Sequence, residues 1–259
     1  MFLSELFEHL ASGELSQLSM GDIDDLIIQV EDYPKIIPSV NLALTEIYKR
    51  FPINIDELIL VQYEHISTYH LNKRFAQTNT ESSEPYKYID DTQFLPFNDN
   101  ILKVEQVFNE IGVELSLNEE VDYGEFSVFG NDISEPFRGR HIDHHIQSVK
   151  TPSYNTIQIL PAPIEDNNLL IKYRAHHKHI PASANIIPGE IELNIPTAML
   201  EPLLLYIGGR IHANLGGEDP NSGMGFIQRF EASCQKIEDL NLFNKGNAIN
   251  RKLERAGFV

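Results

Sequence analysis

Apolar positions along the chain change their period twice, and each change marks a change of element. Phe2, Leu3, Leu6, Phe7 and Leu10 follow the i, i+3, i+4 spacing of one helix face, and Ser12-Gly13 closes that segment. Met20-Gly21-Asp22 leads into Ile23, Leu26, Ile27 and Val30, a second short segment in which Asp22 is a candidate N-cap. Asp32-Tyr33-Pro34 then breaks the chain. The spacing of Ile36, Ile37, Val40, Leu44, Ile47, Tyr48 and Phe51 predicts a longer helix over 35–50, stopped by Pro52.

From there the pattern becomes that of strands. Residues 58–71, LILVQYEHISTYHL, are rich in β-branched and aromatic types with partial alternation. Residues 77–84 are polar and turn-rich, which predicts a loop. Alternation resumes over 101–111, whereas 118–140 is acidic, interrupted by Gly124, Gly130 and Gly139, and reads as an exposed loop or hairpin tip. Residues 154–160 and 169–175 predict two further strands. The link between them, with Pro161, Pro163 and Asn167-Asn168, has the chemistry of a hairpin turn.

Helical spacing returns after Ile195-Pro196-Thr197. Met199, Leu203, Tyr206, Ile207 and Ile211 mark a helix over 198–215, and Phe226, Ile227, Phe230, Cys234 and Ile237 mark another over 223–242. Gly208 and Gly209 inside the first cost about 1 kcal/mol each relative to alanine, a cost that close helix–helix approach would offset. The pattern therefore predicts an α+β fold. N-terminal helices (1–56) and a C-terminal helix pair (196–243) form one helical bundle, a central antiparallel β region with acidic loops (57–195) lies between them in sequence, and an extended basic tail (244–259) follows.

Charge narrows the function classes. The net charge is −18, with 38 Asp+Glu against 20 Lys+Arg, and residues 196–259 are neutral, so the acidity sits in the first three quarters. Such a body is a poor nucleic-acid binder, because affinity for phosphates comes from Lys and Arg. It serves solubility, or a surface that repels passing DNA. No apolar run approaches the roughly 18 residues a membrane span needs, and the first residues lack the basic start of a signal peptide. A single cysteine, Cys234, forms no intramolecular disulfide and fits assembly in a cytoplasm.

Candidate chemistry is confined to histidines. His141-x-Asp143-His144-His145 and His176-His177-x-His179 together offer imidazoles and a carboxylate suited to a divalent metal, and on a strand His177 and His179 would share a face. Neither cluster matches the His-Glu-x-x-His motif of a helical zinc site, so surface or interface histidines are the competing reading. No nucleophile elbow, phosphate loop or dinucleotide fingerprint occurs. Cys234 falls on an apolar helix face, and the run Glu119-Glu120-Val121-Asp122 reads as a solvated loop. The residues themselves call for no enzyme activity and no cofactor.

Three segments, in order, resemble the head-to-tail adaptor (tail tubular protein A-like) family of tailed bacteriophages. The first is Ile37-Pro38-Ser39-Val40-Asn41-Leu42-Ala43-Leu44 with Ile47-Tyr48-Lys49-Arg50-Phe51. The second is Ile157 to Pro163 followed by Leu170-Ile171-Lys172-Tyr173-Arg174-Ala175, similar to the family's paired strands. The third runs from Ile195-Pro196 through Leu203 to Arg210, then Phe226-Ile227-Gln228-Arg229-Phe230-Glu231, similar to its closing helix pair. About half the chain is covered, and the acidic stretch 77–150 departs from the pattern.

The resemblance implies a virion neck protein: a ring, expected to be a dodecamer, that docks on the portal, extends the DNA channel and offers a platform to the tail or nozzle. DNA would pass without specific binding, and no membrane is involved. Lys245, Arg251, Lys252, Arg255 and Phe258 of the tail are the candidate partner-binding residues, reaching an acidic neighbour or the portal. Three other readings compete. A stopper or tail-completion ring would bind the adaptor in place of the portal. A metal enzyme would use His141, Asp143, His144, His177 and His179, and a nucleic-acid regulator is disfavoured by charge.

Overall fold

A computed structural model describes residues 1–16, 21–22, 27–92, 96–118, 147–160, 162, 167–215 and 223–243. The chain divides into two units, one of Met1–Ile53 with His177–Val259 and the other of Asn54–His176. Residues 177–195, grouped with the β middle in the sequence reading, thus fall in the helical unit. Leu193 N donates to Met1 O (2.8 Å) and Leu3 N to Ile191 O (2.9 Å), fastening this stretch to the start of the chain.

The first unit is a bundle of α1 (Leu3–Ser12), α2 (Tyr33–Arg50), α3 (Leu200–Leu215) and α4 (Met224–Asp239), with a two-strand ladder, β1 (Gly21–Asp22) and β2 (Ile27–Ile28). α3 packs on α1, α2 and α4. The faces read from the sequence are largely the buried ones: Leu3, Leu6, Phe7 and Leu10; Ile36, Ile37, Val40, Leu44 and Ile47; Leu203, Ile207 and Ile211; Phe230, Cys234 and Ile237. Phe2, read with the first face, precedes α1 and is exposed. α2 begins earlier than its pattern predicts. Pro34 lies in the first turn, where a missing N–H costs nothing, so it starts the helix where the sequence reading has it break the chain. The segment after Met20 also differs: its described residues pair as a ladder, Gly21 with Ile28 and Asp22 with Ile27, so Asp22 lies in a strand. At the far end of α2, Arg50 donates from Nε to Glu238 (2.8 Å) and from Nη1 to Glu231 (2.7 Å), tying α2 to α4.

The α3–α4 approach is as close as the glycines allow. A Cβ on Gly209 would stand 2.8 Å from Ile227 Cδ1, and one on Gly208 would stand 2.8 Å from Glu14 Cβ. His212 adds a polar link, with Nε2 2.7 Å from Glu14 O and its ring stacked on Phe226 at 4.9 Å.

The second unit holds β3 (Ile55–Val61), β4 (Thr68–His70), β5 (Ile89–Asp90), β6 (Ile101–Phe108), β7 (Ser116–Leu117), β8 (Ser148–Ser153), β9 (Thr156–Leu160) and β10 (Asn168–Ala175). They form two four-stranded sheets, β5-β3-β10-β6, wholly antiparallel, and β4-β9-β8-β7, in which only β7–β8 is parallel. One core joins them, with Leu58, Leu60, Val107, Ile171 and Tyr173 from the first sheet and Tyr69, Val149, Ile157 and Ile159 from the second.

Three expectations about the strands differ from the structure. The run 58–71 is not one strand: it turns at Glu64-His65 and delivers its halves to different sheets. Likewise β9 and β10 do not form a hairpin, for β9 pairs with β4 and β8 while β10 pairs with β3 and β6. β6 also departs from strict alternation. It buries Ile101, Val104 and Val107, three apart, because its pairing with β10 shifts register twice.

Candidate interaction surface

Strands β3 and β10 carry continuous apolar runs, Leu58-Ile59-Leu60-Val61 and Leu169-Leu170-Ile171, so both of their faces are apolar. Leu58, Leu60, Leu169 and Ile171 go into the core. Ile59, Leu170 and Phe108 stay half-buried on the other face, where the register places Leu170 opposite Ile59 on one side and Phe108 on the other. The result is an apolar row crossing three strands. The next row is polar: Lys172 lies between Glu57 and Gln106, its Nζ 3.0 Å from Glu57 Oε1 and 5.5 Å from the centre of the Phe108 ring. Further along, Arg174 is buried and paired with Glu105 at 2.5 Å.

The turn after β6 extends this surface. Gly112 takes φ +80°, Asn109 N donates to Val113 O (2.9 Å), and Val113 N donates to the Asn109 side chain (2.8 Å). These bonds hold a tight turn that presents Ile111 at 83% and Val113 at 54% exposure. Single exposed apolar residues are ordinary, but two in one turn next to a half-buried apolar row make this a candidate contact surface. Between turn and sheet lies an open groove of about 400 Å³, lined by Ile59, Phe108, Glu110, Gly112, Leu170 and Lys172 among others.

Among the described residues the histidines do not assemble. His141, Asp143, His144 and His145 lie outside the described residues. β10 ends at Ala175, so the strand spacing expected for His177 and His179 does not apply: His177 is buried at 8% exposure, and His179 is exposed. His177 Nε2 lies 3.1 Å from Asn41 O and 3.2 Å from Thr45 Oγ1, and Nδ1 lies 3.0 Å from Lys178 O. Both ring nitrogens are thus occupied by protein oxygens, which makes His177 an anchor and removes it from the metal candidates. Among the described residues no group of three His, Cys, Asp or Glu stands close enough to hold a metal ion.

Neither a scan against protein-family models nor a search of curated proteins returns a match.

Other titratable groups in the interior are structural. Burial pushes the hydroxyls of Tyr88 and Tyr173 up. Tyr88 Oη donates to His70 O (3.0 Å) and accepts from His70 N (2.8 Å), bracing β4. Burial also pushes the Cys234 thiol up to about 11. At pH 8 that leaves about a hundredfold less thiolate than an ordinary cysteine holds. Alkylation of the folded chain by iodoacetamide, followed by mass spectrometry, is therefore expected to be slower than that of the urea-unfolded chain by at least about a hundredfold. Equal rates would show that Cys234 is not buried as described.

The candidate tail residues Lys245, Arg251, Lys252, Arg255 and Phe258 also lie outside the described residues. What the sequence reading missed was the row Ile59–Leu170–Phe108. Its signal was present in the continuous apolar runs, which exceed what a strand with one buried face requires.

Proposed function

We propose that the chain is a structural ring subunit of a tailed-phage neck, of the head-to-tail adaptor kind, docking on a portal and extending the DNA channel toward the tail. The observation that carries this reading is the way the bundle closes. Residues 37–50 on α2 are far in sequence from residues 200–210 on α3 and 226–231 on α4, yet α3 packs on both α2 and α4, with a two-sheet β unit inserted in the chain between them. These are the two helical segments in which the resemblance resides. A half-buried apolar row and an exposed turn supply surface for a neighbouring copy, and an acidic body with a net charge of −18 suits a wall that passing DNA does not stick to.

The test is assembly on the portal. Mixed with its cognate portal and viewed by negative-stain electron microscopy, the purified chain is expected to add a second ring of the portal's own symmetry. A chain that ignores the portal and joins only a preformed portal–adaptor complex would overturn the adaptor reading in favour of the stopper.

A further inference from the structure

Among the described residues, the apolar row on the outward face of the β5-β3-β10-β6 sheet lies outside the core of its own unit. Ile59, Leu170 and Phe108 form its apolar floor, and Ile111 and Val113 are exposed in the turn that follows β6. Its rim is acidic. Glu110 and Glu114 belong to the adjoining turn, and Lys172, which lines the groove, is already neutralised by Glu57. The rim lies in the most acidic part of the chain, since residues 54–176 carry 20 Asp+Glu against 9 Lys+Arg.

The opposite composition occurs in residues 244–259. Lys245, Arg251, Lys252 and Arg255 stand against Glu254, a net charge of +3, and are interleaved with Ile249, Leu253, Phe258 and Val259. An apolar floor with an acidic rim selects such a segment, because its apolar side chains leave water while its cations stay at the edge. Fully extended, these residues reach about 50 Å, on the order of the diameter of a chain this size, so they are long enough to meet an adjacent copy.

We infer that residues 244–259 of one copy dock in this groove on an adjacent copy, with the apolar residues on Ile59, Leu170 and Phe108 and the cations over Glu110 and Glu114. The ring reading enters only in supplying the adjacent copy.

The full chain carrying benzoylphenylalanine in place of Phe258 is prepared in natural-abundance and ¹⁵N forms, mixed and irradiated, and the cross-links are mapped by mass spectrometry. Cross-links joining a light to a heavy chain at β3, β10 or residues 108–113 are expected. Arg251→Glu, Lys252→Glu and Arg255→Glu together are expected to lower their yield by about tenfold or more, since each exposed pair is worth up to about 1 kcal/mol. Leu170→Glu is expected to do the same from the groove side, with far-UV circular dichroism to verify folding. The tail variant alters no described residue and stays informative if Leu170→Glu unfolds. Cross-links confined to single chains, cross-links to another surface, or a yield indifferent to the tail's charge would each overturn the inference. Docking without a portal-bound ring would remove the adaptor reading and leave this one standing, and a portal-bound ring without docking would do the reverse.

Discussion

Replacing Gly223 by alanine is expected to destabilise the helical bundle by about 3 kcal/mol, while the same change two residues on, at Gly225, is expected to stabilise it by about 0.5 kcal/mol. Gly223 stands where α4 begins, against α3. A Cβ there would overlap Gly209 O and come within 2.9 Å of Ala213 Cβ and 3.2 Å of Ala213 N. None of these atoms is the end of a flexible side chain, so the helices themselves would have to part. Gly209→Ala meets a softer obstacle, because Ile227 Cδ1 at 2.8 Å can change rotamer, and its cost is expected to be smaller. Gly225 lies within α4 on its exposed side with nothing within 4 Å, so alanine there only restricts the unfolded chain and favours the helix. Denaturant unfolding followed by circular dichroism gives all three. A Gly223→Ala chain as stable as the parent would mean that α3 and α4 are not in contact at this point.

The helices were legible because their apolar period is a direct image of one buried face. Ile36, Ile37, Val40, Leu44 and Ile47 line up on α2, and all are buried. The strands were legible as strands, but their partners were not. Residues 58–71 look uniform, and no glycine or proline marks His65, whose φ of 65° turns the chain toward the second sheet. The turn residues between β9 and β10 read the same whether the strands pair or part. In β6, the bulges against β10 replaced a period of two with a spacing of three, and bulge positions follow from pairing that a lone strand does not reveal.

The candidate surface was half legible for the same reason. Apolar residues at consecutive positions of β3 and β10 announce a second apolar face. That Phe108 completes the row, and that Asn109 and Gly112 turn Ile111 outward, depends on register. His177 misled because alternation was carried past the strand's end at Ala175. Beyond that point the neighbour that decides its role is Asn41, more than a hundred residues away in the chain.

Asn41→Ala is expected to cost the bundle about 3 kcal/mol through one backbone unit it does not belong to. Asn41 lies on the apolar side of α2, at 7% exposure, one turn after Ile37. Its Nδ2 donates to Ile180 O at 2.8 Å and its Oδ1 accepts from Ile180 N at 3.0 Å. Ile180 lies in neither helix nor strand and is itself buried, so a single amide side chain does for it what a ladder does for a strand residue. Alanine leaves both groups buried with that partner gone, at about 1–3 kcal/mol for each. Asn41→Leu separates this cause from lost packing. Leucine restores the volume and adds apolar burial but bonds neither group, so it is expected to cost about as much as alanine, with faster amide exchange at Ile180 and the adjacent His177–His179 segment in both variants. Recovery of stability in Asn41→Leu would show that Asn41 acts by filling space, and that the stretch leading back into the bundle is held by its apolar residues instead.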